Sequence, residues 1–200
     1  MSEDILNLVA ARRGHFRLES GHHAALWLDL DGLFTQPGRI SPFVTELARA
    51  IRPHDVAGVC GPLIGGAFLA QMLASTLDIE FFYTEREVPP DREGLYRARY
   101  HLPGGGGGGA RARGKRMAIV DDAISAGSAV RGTFAELEAR GAEPVVVATL
   151  ILLGSAASSY FAERSVPLEV IARVPFELWA PPDCRLCASG APLEDPGAIA

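Results

Sequence analysis

The segment Ile119-Val120-Asp121-Asp122-Ala123-Ile124-Ser125-Ala126-Gly127-Ser128-Ala129 combines the residue types of an anion site and of a cation site. A buried run, residues 117–120, delivers two adjacent carboxylates to the carboxyl edge of a sheet, where open α/β folds bind ligands. The chain then turns through small residues and starts a helix. Main-chain N–H groups of Ser125, Ala126, Gly127, Ser128 and Ala129, unpaired at that helix start, converge on one concavity and suit a phosphate. The hydroxyls of Ser125 and Ser128 can add donors. Asp121 and Asp122 would repel an anion placed beside them. They make sense if they bind sugar hydroxyls and hold a hydrated Mg²⁺ that a pyrophosphate also ligates. An ordinary strand-to-helix turn with Ser and Asp caps is the plainer alternative.

One strand–helix unit earlier stands Cys60-Gly61-Pro62-Leu63-Ile64-Gly65-Gly66-Ala67. Glycines suit a loop whose backbone amides must approach a diphosphate with no Cβ atoms in the way. Gly-Pro alone marks many turns; its place ahead of the Asp pair links it to the same ligand. Residues 84–116 carry cations. Arg86 follows an apolar run, and Arg97 and Arg99 alternate with Tyr96, Ala98 and Tyr100. That alternation fits a β-ribbon with one charged face, or a solvated hairpin. Arg92 and His101 complete the set, and cations closing over a departing anion stabilise the charge it gathers.

Nearer the amino end, Gly14-His15-Phe16-Arg17-Leu18-Glu19-Ser20-Gly21 precedes Leu26-Trp27-Leu28-Asp29. Phe16, Leu18 and Trp27 are either core residues of a β-ribbon or a wall against a ligand. Cys184-Arg185-Leu186-Cys187 has the spacing of half a zinc site. A lone pair of thiols cannot close a tetrahedral shell, although two copies meeting across a dimer could. Cys60 ends an apolar run and reads as a core residue. Three cysteines, an odd number, make no disulfide framework.

The elements that must position these groups follow from hydrophobic periodicity. Ile40, Phe43, Val44, Leu47, Ala48 and Ile51 form one helical stripe over residues 38–51, with Pro42 placed near the start, where a missing N–H costs little. A strand at 56–60, a helix through Phe68, Leu69, Met72 and Leu73, and a strand at 79–83 follow. Then come a strand at 117–120 and a helix with Val130, Phe134 and Leu137 on its apolar face. Strands at 145–153 and 168–174 end the series, the first apolar enough to be covered on both faces. This alternation predicts an α/β class: a Rossmann-like parallel sheet with right-handed crossovers and helices on both faces. Three segments stand outside it. Residues 1–36 form a small hood, 84–116 a flexible arm whose six consecutive glycines favour no fixed structure, and 179–200 a surface extension. The α/β core spans residues 37–178.

Two hundred residues with 48% apolar composition suit one domain with a full core. With 24 acidic against 19 basic residues and a net charge of −5, the chain lacks the basic face that a nucleic-acid partner requires. The basic cluster at 111–116 reads as a solvated loop. Met1-Ser2-Glu3-Asp4 begins acidic, and the apolar run after it is too short for a signal core. No stretch approaches the ~20 apolar residues of a membrane helix. A cytoplasmic protein with no membrane partner is expected.

The Asp-Asp-x-x-Ser-x-Gly-Ser segment resembles the fingerprint for 5-phosphoribosyl-1-pyrophosphate (PRPP) in type I phosphoribosyltransferases, and its Ile-Ser-Ala-Gly-Ser-Ala-Val is most similar to the orotate enzymes. The Gly-Pro-x-x-Gly-Gly loop and the Phe-x-Leu-x-Ser-Gly element resemble the same enzymes, so the likeness spans about residues 14–150. It implies that Asp121 and Asp122 hold the ribose hydroxyls and, through water and PRPP, Mg²⁺. It places the 5′-phosphate on residues 125–129 and the pyrophosphate on Gly61, Pro62, Leu63, Ile64, Gly65 and Gly66. Phe16, Glu19 and Trp27 would face the base, with His22 and His23 facing the base or solvent. Arg86, Arg97 and Arg99 would act on the leaving pyrophosphate. The implied activity is transfer of ribose-5-phosphate from PRPP to a nucleobase, orotate by family, in a homodimer.

The chain departs from the family pattern at four places. Ala123 replaces a larger aliphatic residue, and Glu19 replaces a Lys. The arm region 85–101 has no lysine, the only one in the chain being Lys115, and Leu153-Gly154-Ser155 stands where Asp-Arg is usual. A PRPP-binding regulator, an inactive relative, or an enzyme for another base are the alternatives. The intact Asp pair and glycine loop favour an enzyme; the missing lysines favour the regulator.

Overall fold

The computed structural model describes residues 5–104 and 107–196. Strands β1 (Ala10–Arg17) and β2 (His23–Asp29) form an antiparallel hairpin, with a bulge between Arg13 and Phe16. Then come α1 (Pro37–Ile51), β3 (Gly58–Pro62), α2 (Gly65–Leu77), β4 (Glu80–Glu87), β5 (Arg99–His101) and α3 (Gly107–Ala112). They are followed by β6 (Arg116–Ile124), α4 (Ser128–Ala139), β7 (Glu143–Leu153), α5 (Ala156–Ala162), β8 (Leu168–Val174) and α6 (Arg185–Ala188). The larger sheet has the order β5-β4-β3-β6-β7-β8, parallel except for β5. The α/β class and parallel sheet are as expected. Strand order reverses between β3 and β6, and such a switch point opens a crevice at the carboxyl ends of the strands. Both loops singled out above emerge there.

Period-two alternation feeds a core on each face of the sheet. From β6, Ala118 and Val120 join Ile40, Leu47, Leu69 and Leu73 of α1 and α2. Met117 and Ile119 join Val130, Phe134 and Leu137 of α4 and Phe161 of α5. Among the described residues, no helix is long and apolar enough to cross a membrane.

The boundaries differ from expectation in four informative ways. Helix α1 begins at Pro37, so Pro42 falls in its second turn and removes one internal hydrogen bond. Strand β6 does not stop before the carboxylates: Asp121 pairs with Thr149 and Ala123 with Ile151 of β7, so both aspartates are held by sheet. The arm is more ordered than its composition suggests. Tyr100 and His101 pair with Arg86 and Glu85 to make a short ribbon, and Arg97 lies outside the paired part. Gly107 to Gly109 lie in α3, against the expectation of no fixed structure, because Gly109 faces Arg140, Ala112 is fully buried and Arg111 reaches Glu80. Tertiary packing outweighs the poor helix propensity of glycine. Gly105 and Gly106 lie outside the described residues.

Candidate active site

A cleft of about 670 Å³ opens at the switch point. Leu18, Glu19, Trp27, Asp29 and Asp31 form its hairpin side, Pro62 to Gly65 its floor on one side, and Asp121, Asp122, Ser125 and Ala129 its floor on the other, with Leu153 and Phe176 behind. Asp121 and Asp122 are half-buried. The Asp122 amide donates to Asp121 Oδ1 at 3.1 Å, and the Ala123 amide to Asp122 Oδ1 at 2.7 Å. Burial, then the charges of Asp122 and Glu19, hold the Asp121 carboxyl well above the usual range, and burial also raises Asp122.

The first turn of α2 rests on these carboxylates. A Cβ at Gly65 would collide with the Asp122 carboxylate; at Gly66 it would stand 2.6 Å from Pro62 Cδ and 2.7 Å from Asp121 Oδ1. A Cβ at Gly61 would strike the Gly66 carbonyl. The glycines therefore permit α2 to seat on the Asp pair, a constraint additional to the approach of a diphosphate. The Leu63–Ile64 peptide is cis, and the side chains of Leu63 and Ile64 are exposed.

Ser125, Ala126, Gly127, Ser128 and Ala129 line a pocket of about 80 Å³, closed from the hairpin side by Leu18, Glu19 and Ser20. Gly127 caps α4 with φ 79°, and no side chain among the described residues caps that end. The helix-start N–H groups are left for an anion.

A neighbouring cleft of about 380 Å³ shares Leu18, Glu19 and Trp27 and adds Arg17, Arg86, Arg97 and Asp195. Two of the three expected arm arginines thus meet the site. Arg99 is exposed on β5 and lines neither cleft, so its expected catalytic role is not supported by its position. Glu19 lies 3.6 Å from Arg86 and accepts a hydrogen bond from the Tyr100 hydroxyl, tying the hairpin turn to the arm ribbon. Burial and the Glu19 charge push the Tyr100 hydroxyl far up. Phe16 is a second correction. It is fully buried, 6.3 Å from the Trp27 ring between centroids, and supports Trp27 instead of facing the cleft. His23 is a third: it is buried and turned toward His15 and Cys187, away from base or solvent.

Sequence reasoning missed Arg17, which lines the smaller cleft, and Tyr100, which holds Glu19. Arg131 sits in the first turn of α4, with its guanidinium 4.6 Å from the Tyr96 ring centre and 4.1 Å from that of Tyr160. Among the described residues, no cationic side chain lines the larger cleft, and Leu153 occupies the end of β7.

No protein-family model matches the chain. It is 30% identical over 198 residues to an orotate phosphoribosyltransferase of Thermotoga petrophila, covering 98% of this chain and 97% of that one. It is 21% identical to the crystal structure of orotate phosphoribosyltransferase from Aeropyrum pernix, with TM-score 0.62 over 86% of this chain and 93% of that one. An adenine phosphoribosyltransferase structure from Thermoanaerobacter pseudethanolicus gives TM-score 0.68 at 15% identity, covering 87% of this chain and 100% of the other. The two structural likenesses show a shared fold.

Proposed function

The chain belongs to the orotate phosphoribosyltransferase family, and from that membership we propose that it transfers ribose-5-phosphate from PRPP to orotate, giving orotidine 5′-monophosphate and pyrophosphate. One observation carries this reading: a carboxylate pair, glycine-only contacts against it and an uncapped helix start meet in one cleft. In the reaction the anomeric carbon loses its bond to the pyrophosphate oxygen and gains one to a ring nitrogen of the base. Asp121 and Asp122 hold the ribose hydroxyls and ease the positive charge developing on the sugar ring. The amides of residues 125–129 hold the 5′-phosphate, and Gly61 to Gly66 approach the diphosphate. Arg86 and Arg97, joined by Arg17, face the departing pyrophosphate and stabilise its charge. Trp27 closes over the base. A substrate nitrogen that is already anionic requires no general base.

Two half-buried carboxylates that repel each other, under a helix turn with no Cβ atoms, fit a hydrated Mg²⁺ shared with pyrophosphate. When bound, such an ion neutralises charge on the diphosphate. A homodimer is part of the reading. Leu63 (44% exposed), Ile64 (68%) and Phe68 (48%) give an apolar face beside the cleft, and burying it would suit a second copy.

A second reading concerns the base alone. With no cation on the walls of the larger cleft among the described residues, a base lacking a carboxylate would meet no unpaired partner there. Pyrophosphate release from Mg²⁺ and PRPP, measured with orotate, uracil, adenine, guanine, hypoxanthine or xanthine supplied singly, tests both. Turnover with orotate is expected. Turnover with another base only would overturn the substrate and keep the chemistry. Silence with PRPP still bound would overturn the enzyme in favour of a PRPP-binding regulator.

A further inference from the structure

His15, His23, Cys184 and Cys187 converge away from the cleft, their ligand atoms all within 4.8 Å of one another. His15 Nε2 is 3.1 Å from His23 Nδ1, 3.4 Å from Cys184 Sγ and 3.7 Å from Cys187 Sγ; Cys187 Sγ is 3.3 Å from His23 Nδ1. A tetrahedral zinc with Zn–S about 2.3 Å and Zn–N about 2.05 Å has edges of about 3.3 Å between nitrogens, 3.55 Å between N and S, and 3.75 Å between sulfurs. The one N–N and three N–S separations given above already lie close to those edges, and the remaining two lie within 4.8 Å.

Three further observations favour a metal over a chance cluster. His15 places Nδ1 3.0 Å from the Ala191 carbonyl, so Nδ1–H donates there and the Nε2 lone pair is left for a ligand bond. His15, His23 and Cys184 are 3%, 4% and 2% exposed while Cys187 is exposed, so three of the four ligands sit in the closed surroundings of a structural site. The two halves come from segments far apart in sequence, held together by backbone pairing on either side of the cluster. Trp179 pairs with His23 through both backbone hydrogen bonds, and Glu194 bridges Phe16, so the carboxyl-terminal segment flanks the hairpin on both sides. Those backbone pairs fix the cluster without help from the four side chains.

We propose that these four residues bind one Zn²⁺ within a single chain, as a structural site that clamps the carboxyl-terminal segment onto the β1–β2 hairpin. The set is two thiolates and two imidazoles with no fifth position to fill, the composition that selects zinc and leaves no place for catalysis. Its consequence reaches the cleft, because the residues between the two histidines include Leu18 and Glu19, which line it. The proposal does not rest on the transfer reading, since metal content is read without substrate.

The test is elemental analysis of the full chain, purified without an affinity tag rich in histidine and without chelator. One zinc per chain is expected, and none in Cys187→Ser or His15→Ala. Replacement by Co²⁺ should give the intense visible bands and thiolate charge-transfer band of a tetrahedral S₂N₂ site. Intact-mass analysis after alkylation keeps the proposal open to failure even if a variant does not fold. A Cys184–Cys187 disulfide, or free thiols in a chain that takes up neither added Zn²⁺ nor Co²⁺, would overturn it. Zinc retained undiminished in a folded Cys187→Ser chain would also overturn it, and iron in place of zinc would overturn the choice of metal.

Discussion

At the scale of single residues, the Asp pair combines function with a cost to the empty protein. Asp121 is half-buried beside two other acids and its carboxyl is raised above the ordinary range. A carboxyl whose folded value is raised favours the folded state at low pH and loses that advantage as pH rises through the folded value. At neutral pH its charge therefore destabilises the unliganded chain. Asp121→Asn should raise the melting temperature at pH 7 by about 2–4 °C, the shift for about 1 kcal/mol in a chain of this size. The difference should vanish in acid, and PRPP binding, followed by calorimetry, should be lost. An unchanged or lower melting temperature at pH 7 would contradict the electrostatic reading. Arg86 stands at the leaving-group cleft, paired with Glu19. Arg86→Ala should lower kcat by about 10²–10³-fold, with Arg86→Lys recovering part of it in steady-state assays.

At the scale of elements, the glycines that seat α2 on β6 separate a positioning role from a flexibility role. Gly65→Ala would drive a methyl group into the Asp122 carboxylate. It should cut kcat/KM for PRPP by about 10²-fold, the effect of displacing a binding group by about 1 Å. Gly38 in α1 has nothing within 4 Å of a built Cβ. Gly38→Ala should instead stabilise by about 0.5–1 kcal/mol with unchanged turnover. Chemical denaturation and kinetics of the two variants, side by side, give the comparison. Equal effects would mean that Gly65 serves only the helix.

At the scale of the whole molecule, association is the property left to measure. Phe34 and Phe68 stand 5.6 Å apart between ring centroids, and together with Met72 they line an apolar groove next to the exposed Leu63 and Ile64. Sedimentation should give twice the chain mass of 21.2 kDa. Phe68→Glu should return the species to a single chain mass. A wild-type chain that sediments as a monomer at micromolar concentration would remove the dimer from the proposed function.

Much of this architecture was legible in the linear order of residues because its signals are local. Apolar periodicity set the α/β alternation, and Asp121-Asp122 with the small-residue turn after them marked a strand end leading into a helix start. The Gly-Pro-x-x-Gly-Gly run marked the matching loop one unit earlier, where backbone without Cβ atoms was needed. What stayed hidden depended on distance in sequence. Phe16 and Trp27 look equally exposed to a ligand in one dimension, yet hairpin pairing buries the first and leaves the second at the cleft. The glycine run has no helical signal of its own, and α3 exists because Arg140 and Glu80 receive it. Cys184-x-x-Cys187 reads as half a site until the carboxyl-terminal segment folds beside β1 and β2 and brings His15 and His23 against it. Local pattern decides which elements form; only packing decides which side chains from remote elements share a volume, because that choice rests on the buried surface of the whole chain.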